Sequence, residues 1–210
     1  PSRTKDVDDV DFSTGSVGLG VAQTLFAALA QDYVRAKNFS ATGEAGRMIA
    51  LSGDAEMDEG NIFEALLEGW KHGVRNVWWV IDYNRQSLDA VVREGLWSRL
   101  EAIFRDFGWD VVILKHGALQ QAAFKEKGGE VLRQWIDTCP NQLYSALTYQ
   151  GGAAWRTRLS HDFRDDQDAL SLIARRSDAE LAKLMGNLGG HDLDLLTKAF
   201  HEARQSSNPT

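Results

Sequence analysis

Two short apolar runs, Met48-Ile49-Ala50-Leu51 and Val77-Trp78-Trp79-Val80-Ile81, constrain the fold of this chain more than any other feature. Each has the length and residue types of a strand. Between them lies a stretch of helical period, with Ile62, Phe63, Leu66, Leu67 and Trp70 on one stripe and Gly73 placed to stop it. Strands joined across a helix pair in parallel. The second run is apolar at every position, as a strand buried on both faces is. A helix is expected over 16–36, with Ala22, Leu25, Phe26, Leu29 and Tyr33 on one face and Ser16 as its N-cap. Gly18 and Gly20 are poor helix formers there and point to a close backbone approach. A polar turn is expected over 38–46, a helix over 96–107 and a third strand over 109–114. The spacing therefore predicts an α/β fold with a parallel sheet flanked by helices and right-handed crossovers.

The residues just after each run carry the chemistry. The first run leads into Gly53-Asp54-Ala55-Glu56-Met57-Asp58-Glu59-Gly60, and the second into Asn84-Arg85-Gln86, with Asn84 thirty positions after Asp54. Taken singly, Asp54 reads as a helix cap, Asn84 as a turn residue and Asp58 as the cap of the next helix. Together they stand at the carboxyl edge of neighbouring parallel strands, where open α/β sheets bind ligands. Hard oxygen donors of this kind suit Mg²⁺, which completes its octahedron with phosphate oxygens and water. Glu56, Asp58 and Glu59 crowd the same loop, so a diphosphate there needs a divalent cation to offset repulsion. Backbone N–H groups of Ala55 and Glu56, near a helix start, add anion contacts. The pattern reads as a metal–diphosphate clamp.

The pairing resembles the thiamine diphosphate signature, a Gly-Asp-Gly followed at a fixed interval by Asn. The strings GDAEMDEG and IDYNRQSLD are most similar to the homodimeric type of 2-oxo-acid (pyruvate) dehydrogenase decarboxylating component, with its transketolase-like N-terminal domain. The resemblance runs from about Phe12 to the end and takes in STGSVGLG and LGGHD. Ala55 departs from it, standing where the family has its second Gly; a methyl group there requires a backbone at negative φ, uncrowded by the diphosphate. The resemblance implies a thiamine diphosphate-binding fold and metal ligation by the side chains of Asp54 and Asn84 and the main-chain carbonyl of Gln86. It makes Gly53, Asp54, Ala55, Glu56 and Asn84 cofactor-binding. It also implies that the Gly15 carbonyl takes the cofactor's 4′-amino group and that Val17 is the apolar wedge holding the cofactor bent. Gly189-Gly190-His191-Asp192 resembles a Gly-His-Asp of transketolase-like enzymes, which puts His191 at the active site. Its bland reading is a loop histidine before Asp192 as N-cap.

The implied reaction is Mg²⁺- and thiamine diphosphate-dependent decarboxylation of a short 2-oxo acid, pyruvate or 2-oxobutyrate, with acyl transfer to a lipoyl group on an acyltransferase core. Transketolase-type two-carbon transfer and a non-catalytic assembly domain, marked by Ala55, are the alternatives. The family's pyrimidine-protonating glutamate comes from a second domain across a dimer interface and is not found in these residues. The chain opens Pro1-Ser2-Arg3, without Met, and closes where the family has one more strand. Residues 1–210 are therefore expected to be a diphosphate-binding domain within a longer, homodimeric enzyme, helical from about 120 onward and inactive alone.

Composition narrows the partners. A formal charge of −7 over 210 residues lacks the basic footprint that nucleic acid or an anionic membrane requires. One cysteine, Cys139, excludes an internal disulfide framework and fits a reducing, cytoplasmic setting. No apolar run approaches the ~18 residues of a membrane span, and no signal-peptide pattern is present. His72, His116, His161 and His201 have no mutual spacing of a metal site and read as surface or satisfied residues. The Trp78-Trp79 pair reads as sheet core. The last two helices are expected over 177–185 and 192–203, the second with Leu193, Leu196 and Phe200 on one side.

Overall fold

The computed structural model describes residues 11–12, 14–39, 46–83 and 96–210. The chain divides into two compact units, residues 1–112 with 202–210 and residues 113–201. The first holds α1 (Leu19–Ala36), β1 (Met48–Gly53), α2 (Gly60–His72), β2 (Val77–Asp82) and α3 (Leu96–Asp106). β1 and β2 pair in parallel, Met48 against Val77 through Gly53 against Asp82, so both strands end at the same edge. The α/β class and the parallel pair are as the sequence predicts.

One face of this pair forms the core. Ala50, Ser52, Val77 and Trp79 are buried with Val21, Leu25 and Ala28 of α1 and Ile62, Ala65 and Leu66 of α2. Trp79 centres it: its indole N–H donates to Thr24 Oγ1 at 3.1 Å, and its ring lies 4.7 Å from Trp109 and 5.9 Å from Phe104. Gly69 lets the two helices close up, since a Cβ there would come within 2.7 Å of Leu25 Cδ1. The helix stripes accordingly sit about one position away from those expected. Phe26 and Tyr33 of α1 and Leu67 and Trp70 of α2 are exposed, because the small residues Ala28, Ala65 and Gly69 take the contact line. On the opposite face of β1, Ile49 and Leu51 are exposed, and Trp78 lies under the Arg47 guanidinium, 4.3 Å from the ring centroid. Of the tryptophan pair, then, only Trp79 is core.

The third strand expected over 109–114 does not form. The free edge of β2 is taken by Thr210, which accepts from the Trp79 N–H at 2.9 Å and donates to the Val77 carbonyl at 3.2 Å, the bonding of a parallel bridge. Asp110 bonds to the same C-terminal residues: its N–H donates to the Pro209 carbonyl at 2.8 Å, and its carboxylate accepts from the Ser206 hydroxyl and the Asn208 amide. With those bonds made, the segment has no ladder to join.

The second unit is helical: α4 (Ala118–Phe124), α5 (Gly129–Thr138), α6 (Asn141–Gln150), α7 (Gly152–Asp162), α8 (Gln167–Ala174) and α9 (Asp178–Gly186). α10 (Leu193–Gln205) runs from it into the first unit's last residues. Trp155, Leu132, Leu159, Leu172, Leu181 and Met185 fill its core. Gln120, fully buried, donates to Tyr144 Oη at 3.2 Å, and that hydroxyl donates to the Met185 carbonyl at 2.6 Å. Ser177 caps α9 with a reciprocal Glu180 bond. Leu193 and Phe200 of α10 are exposed. Cys139 is a buried thiol. Among the described residues no helix is long and apolar enough to cross a membrane.

Candidate functional site

The first site segment turns sharply out of β1. Gly53 is still extended, and Asp54–Asp58 form one 3₁₀ turn before α2. That turn delays α2, whose N-cap is Glu59 and not Asp58. Asp54, directly after the strand, is buried at 7% exposure, which is unusual for a carboxylate. Ala55 sits inside the turn and is not among the described residues at positive φ. Its methyl group thus meets the backbone condition that the departure from Gly imposes.

Glu56 has a role that its backbone alone did not suggest. Its carboxylate folds back and accepts the Gly53 N–H at 3.3 Å and the Gly18 N–H at 2.9 Å. The first bond closes the turn on itself, in the spacing of a capping box. The second reaches across the unit to the Gly15-Ser16-Val17-Gly18 segment. It is Gly18, at φ +77°, and not Ser16 that caps α1. A Cβ on Gly18 would come within 2.7 Å of Glu59 Cβ and 2.9 Å of Asn61 Oδ1, so the close approach read from its glycine is to the start of α2. The structure thereby brings Gly15 and Val17, both exposed, to the same end of the unit as Asp54. Asn84 and Gln86 lie outside the described residues, as does most of the polar turn over 38–46.

A cavity of about 250 Å³ opens beside Asp54. Met57, Phe63, Leu100 and Ile103 give it apolar walls, Tyr83 continues directly from the end of β2, and Asp58 and Arg99 add charge. Tyr83 is held against Trp97, with ring centroids 4.9 Å apart. Sequence reasoning missed Arg99 and Tyr83. Tyr83 sits next to the expected ligand Asn84, a usable signal; Arg99 is one charge on an amphipathic helix and gave none.

Among the described residues no group of three His, Cys, Asp or Glu side chains could hold a metal by itself. The described donor set nevertheless suits a magnesium–diphosphate group as far as it extends. It offers one buried hard carboxylate at the strand end and a neighbouring glutamate whose charge is spent on two backbone N–H groups, while the cavity beside them is walled mostly by apolar side chains.

His191 belongs to the second unit, where it is an exposed residue closing a 3₁₀ turn, Gly189–His191. Its neighbour Asp192 accepts the N–H groups of Leu195 at 3.3 Å and Ala118 at 2.9 Å and the Asn187 amide at 3.2 Å, which hold its carboxyl below the usual range. The expected cap at Asp192 is therefore formed. Of the other histidines, His116 is half-buried against Phe124 and bonded to Asp137 at 3.0 Å, His161 bonds Asp162, His72 faces Glu68, and His201 is exposed.

No family model matches the chain. It is 29% identical over 194 residues to the pyruvate dehydrogenase E1 component of Pseudomonas aeruginosa, covering 91% of this chain and 21% of that protein. The E1 components of Mycobacterium tuberculosis (28% identical, 92% of this chain and 20% of that one) and Escherichia coli K12 (27%, 93% and 22%) are similar in the same way. The chain thus spans about a fifth of the length of the curated relatives it matches. The resemblance carried by the GDAEMDEG and NRQSLD strings is borne out: over nine-tenths of its length, this chain is similar to a segment of proteins named pyruvate dehydrogenase E1 component.

Proposed function

We propose that residues 1–210 are the metal- and diphosphate-binding part of a thiamine diphosphate-dependent enzyme that decarboxylates a short 2-oxo acid and passes the acyl unit to a lipoyl group. The supporting observation is the Glu56 bond to Gly18, which joins the two segments of the resemblance beside the buried Asp54 at the strand ends. When bound, the cofactor supplies a nucleophilic carbon and an electron sink for loss of carbon dioxide. The chain's own residues bind and orient. Asp54 offers a carboxylate oxygen to Mg²⁺, with the Asn84 side chain and the Gln86 carbonyl as the other protein ligands. Gly53, Ala55 and Glu56 line the diphosphate with backbone. With the cofactor bound, the Gly15 carbonyl would accept from its 4′-amino group, Val17 would be the apolar wedge against it, and His191 would face the substrate. The fold is that of a diphosphate-binding domain, and the pyrimidine-binding part belongs to the remainder of a homodimeric enzyme.

The test is calorimetric titration of the complete protein with thiamine diphosphate, with and without Mg²⁺. Binding is expected only with the metal, and Asp54→Ala is expected to abolish it while the far-UV spectrum and melting temperature stay near wild type. Unchanged affinity in Asp54→Ala would overturn the assignment.

A further inference from the structure

The outer face of α1 is built wrongly for water. The helix buries Val21, Leu25 and Ala28 on its inner side, yet Leu19, Phe26 and Tyr33 stay 45%, 44% and 57% exposed on the other. Between Leu19 and Gln31 it has no charged residue. A helix that meets solvent carries charges on its outer side, as α2 does with exposed Glu64, Lys71 and His72, whereas one that is apolar all round is buried. The exposed positions Leu19, Gln23, Phe26, Ala30 and Tyr33 follow one another at alternating intervals of four and three, the spacing of a helix–helix seam. Aromatic side chains without charge are also the composition of an interface core.

We infer that this face of α1 is a contact with a second copy of the chain, the two helices crossing antiparallel about a two-fold axis at Phe26. This rests on the homodimeric reading above and locates its contact. The seam is nearly symmetric about Phe26, with Leu19 seven residues before it and Tyr33 seven after. Antiparallel pairing sets Leu19 of one copy against Tyr33 of the other and Phe26 against its own counterpart, beside the small Ala30, as an isologous contact requires. The charged residues of α1, Asp32 and Arg35, lie past Gln31, so opposed helices keep their charged ends apart and their dipoles antiparallel. Gly18 caps α1 and donates to Glu56, so the pair sets two such site ends about 24 Å apart along its axis, at about 1.5 Å per residue.

The experiment mixes two variants of the complete protein, Phe26→Glu and Phe26→Lys, and counts homodimers and heterodimers by native mass spectrometry after subunit exchange. Wild type is expected to be dimeric. Because position 26 meets itself, each variant alone opposes like charges and the mixture pairs opposite ones. About nine-tenths heterodimer is expected, against the half that random exchange gives and that wild-type copies differing only in isotope should show. If a charged variant loses its far-ultraviolet spectrum, the neutral Phe26→Cys decides instead. Oxidation should link it as a dimer, while Tyr149→Cys, at 94% exposure in the other unit, stays unlinked. Heterodimer at the random half, or an unlinked Phe26→Cys, in a protein whose wild type is dimeric, shows that another segment of the polypeptide covers α1. That result overturns this contact and leaves the homodimer and the metal site standing. A monomeric wild type overturns both the contact and the homodimer.

Discussion

Replacing Glu56 by Gln is the sharpest test of how the site loop is held. The carboxylate accepts two backbone N–H groups, from Gly18 at 2.9 Å and Gly53 at 3.3 Å. A hydrogen bond to a charged acceptor contributes roughly 1.5–3 kcal/mol and a neutral one about 1 kcal/mol. Glutamine keeps one neutral carbonyl oxygen for two donors and turns its own NH₂ group toward the other. One bond is therefore weakened and one lost, which sums to ~2 kcal/mol once the partial exposure of the pair is allowed for. The loss is local, so it should appear as local opening rather than global unfolding. In hydrogen exchange on the complete protein, the Gly18 and Gly53 amides should exchange about 30-fold faster in Glu56→Gln. Amides in the middle of α2 and α5 should change by less than about threefold on the same scale. Exchange at Gly18 within threefold of wild type would refute the carboxylate's role, and uniform acceleration across both units would refute its locality.

Gly18→Ala should cost ~3 kcal/mol in urea unfolding, from about 1–2 kcal/mol of left-handed strain and a further 1–3 kcal/mol for the clash with Glu59 and Asn61 that the two can partly relieve; a loss below ~1 kcal/mol would mean that the segment simply slides. In the second unit, burial raises the Asp162 carboxyl, but hydrogen bonds from His161, Trp135 and Arg158 outweigh it and hold it at about 2. Because the folded value is the lower one, that stabilisation is complete above the ordinary carboxylate value of 3.8 and is lost as the pH falls from there through about 2. Asp162→Asn should therefore melt below wild type at neutral pH, with the gap narrowing across that acid window; a gap independent of pH would show that packing, not charge, is responsible.

Local chemistry made much of this architecture readable in advance. The apolar runs at Met48 and Val77 and the αL stop at Gly73 each depend on residues close in sequence, and each is formed. The features that could not be read depend on distant partners. Ser16 looks like a helix cap, yet the Gly18 N–H is claimed by Glu56, thirty-eight positions away, and the helix starts later. Residues 109–114 have the composition of a strand, but the edge they would join is held by Thr210. Phe26 and Trp70 look like core until Gly69 lets Leu25 in beside it and shifts the contact line. At the site, the Asp54 position was legible because ligand edges in parallel sheets are a rule of topology. Arg99 was not, because one cation on an amphipathic helix looks like any other.

The aromatic cluster under the sheet has an optical consequence. Trp79 and Trp109 lie 4.7 Å apart at a 43° tilt, both buried, so their indole transitions are close enough to couple as an exciton pair. Such a pair gives a dichroic couplet in the far-ultraviolet, from the intense indole band there, whose sign and size depend on the mutual angle of the rings. Trp79 is also tethered to α1 through Thr24, on the helix that begins at Gly18. Any ligand that moves the Gly18–Glu56 end of that helix will write itself into the couplet, giving the site a spectroscopic read-out with no added label.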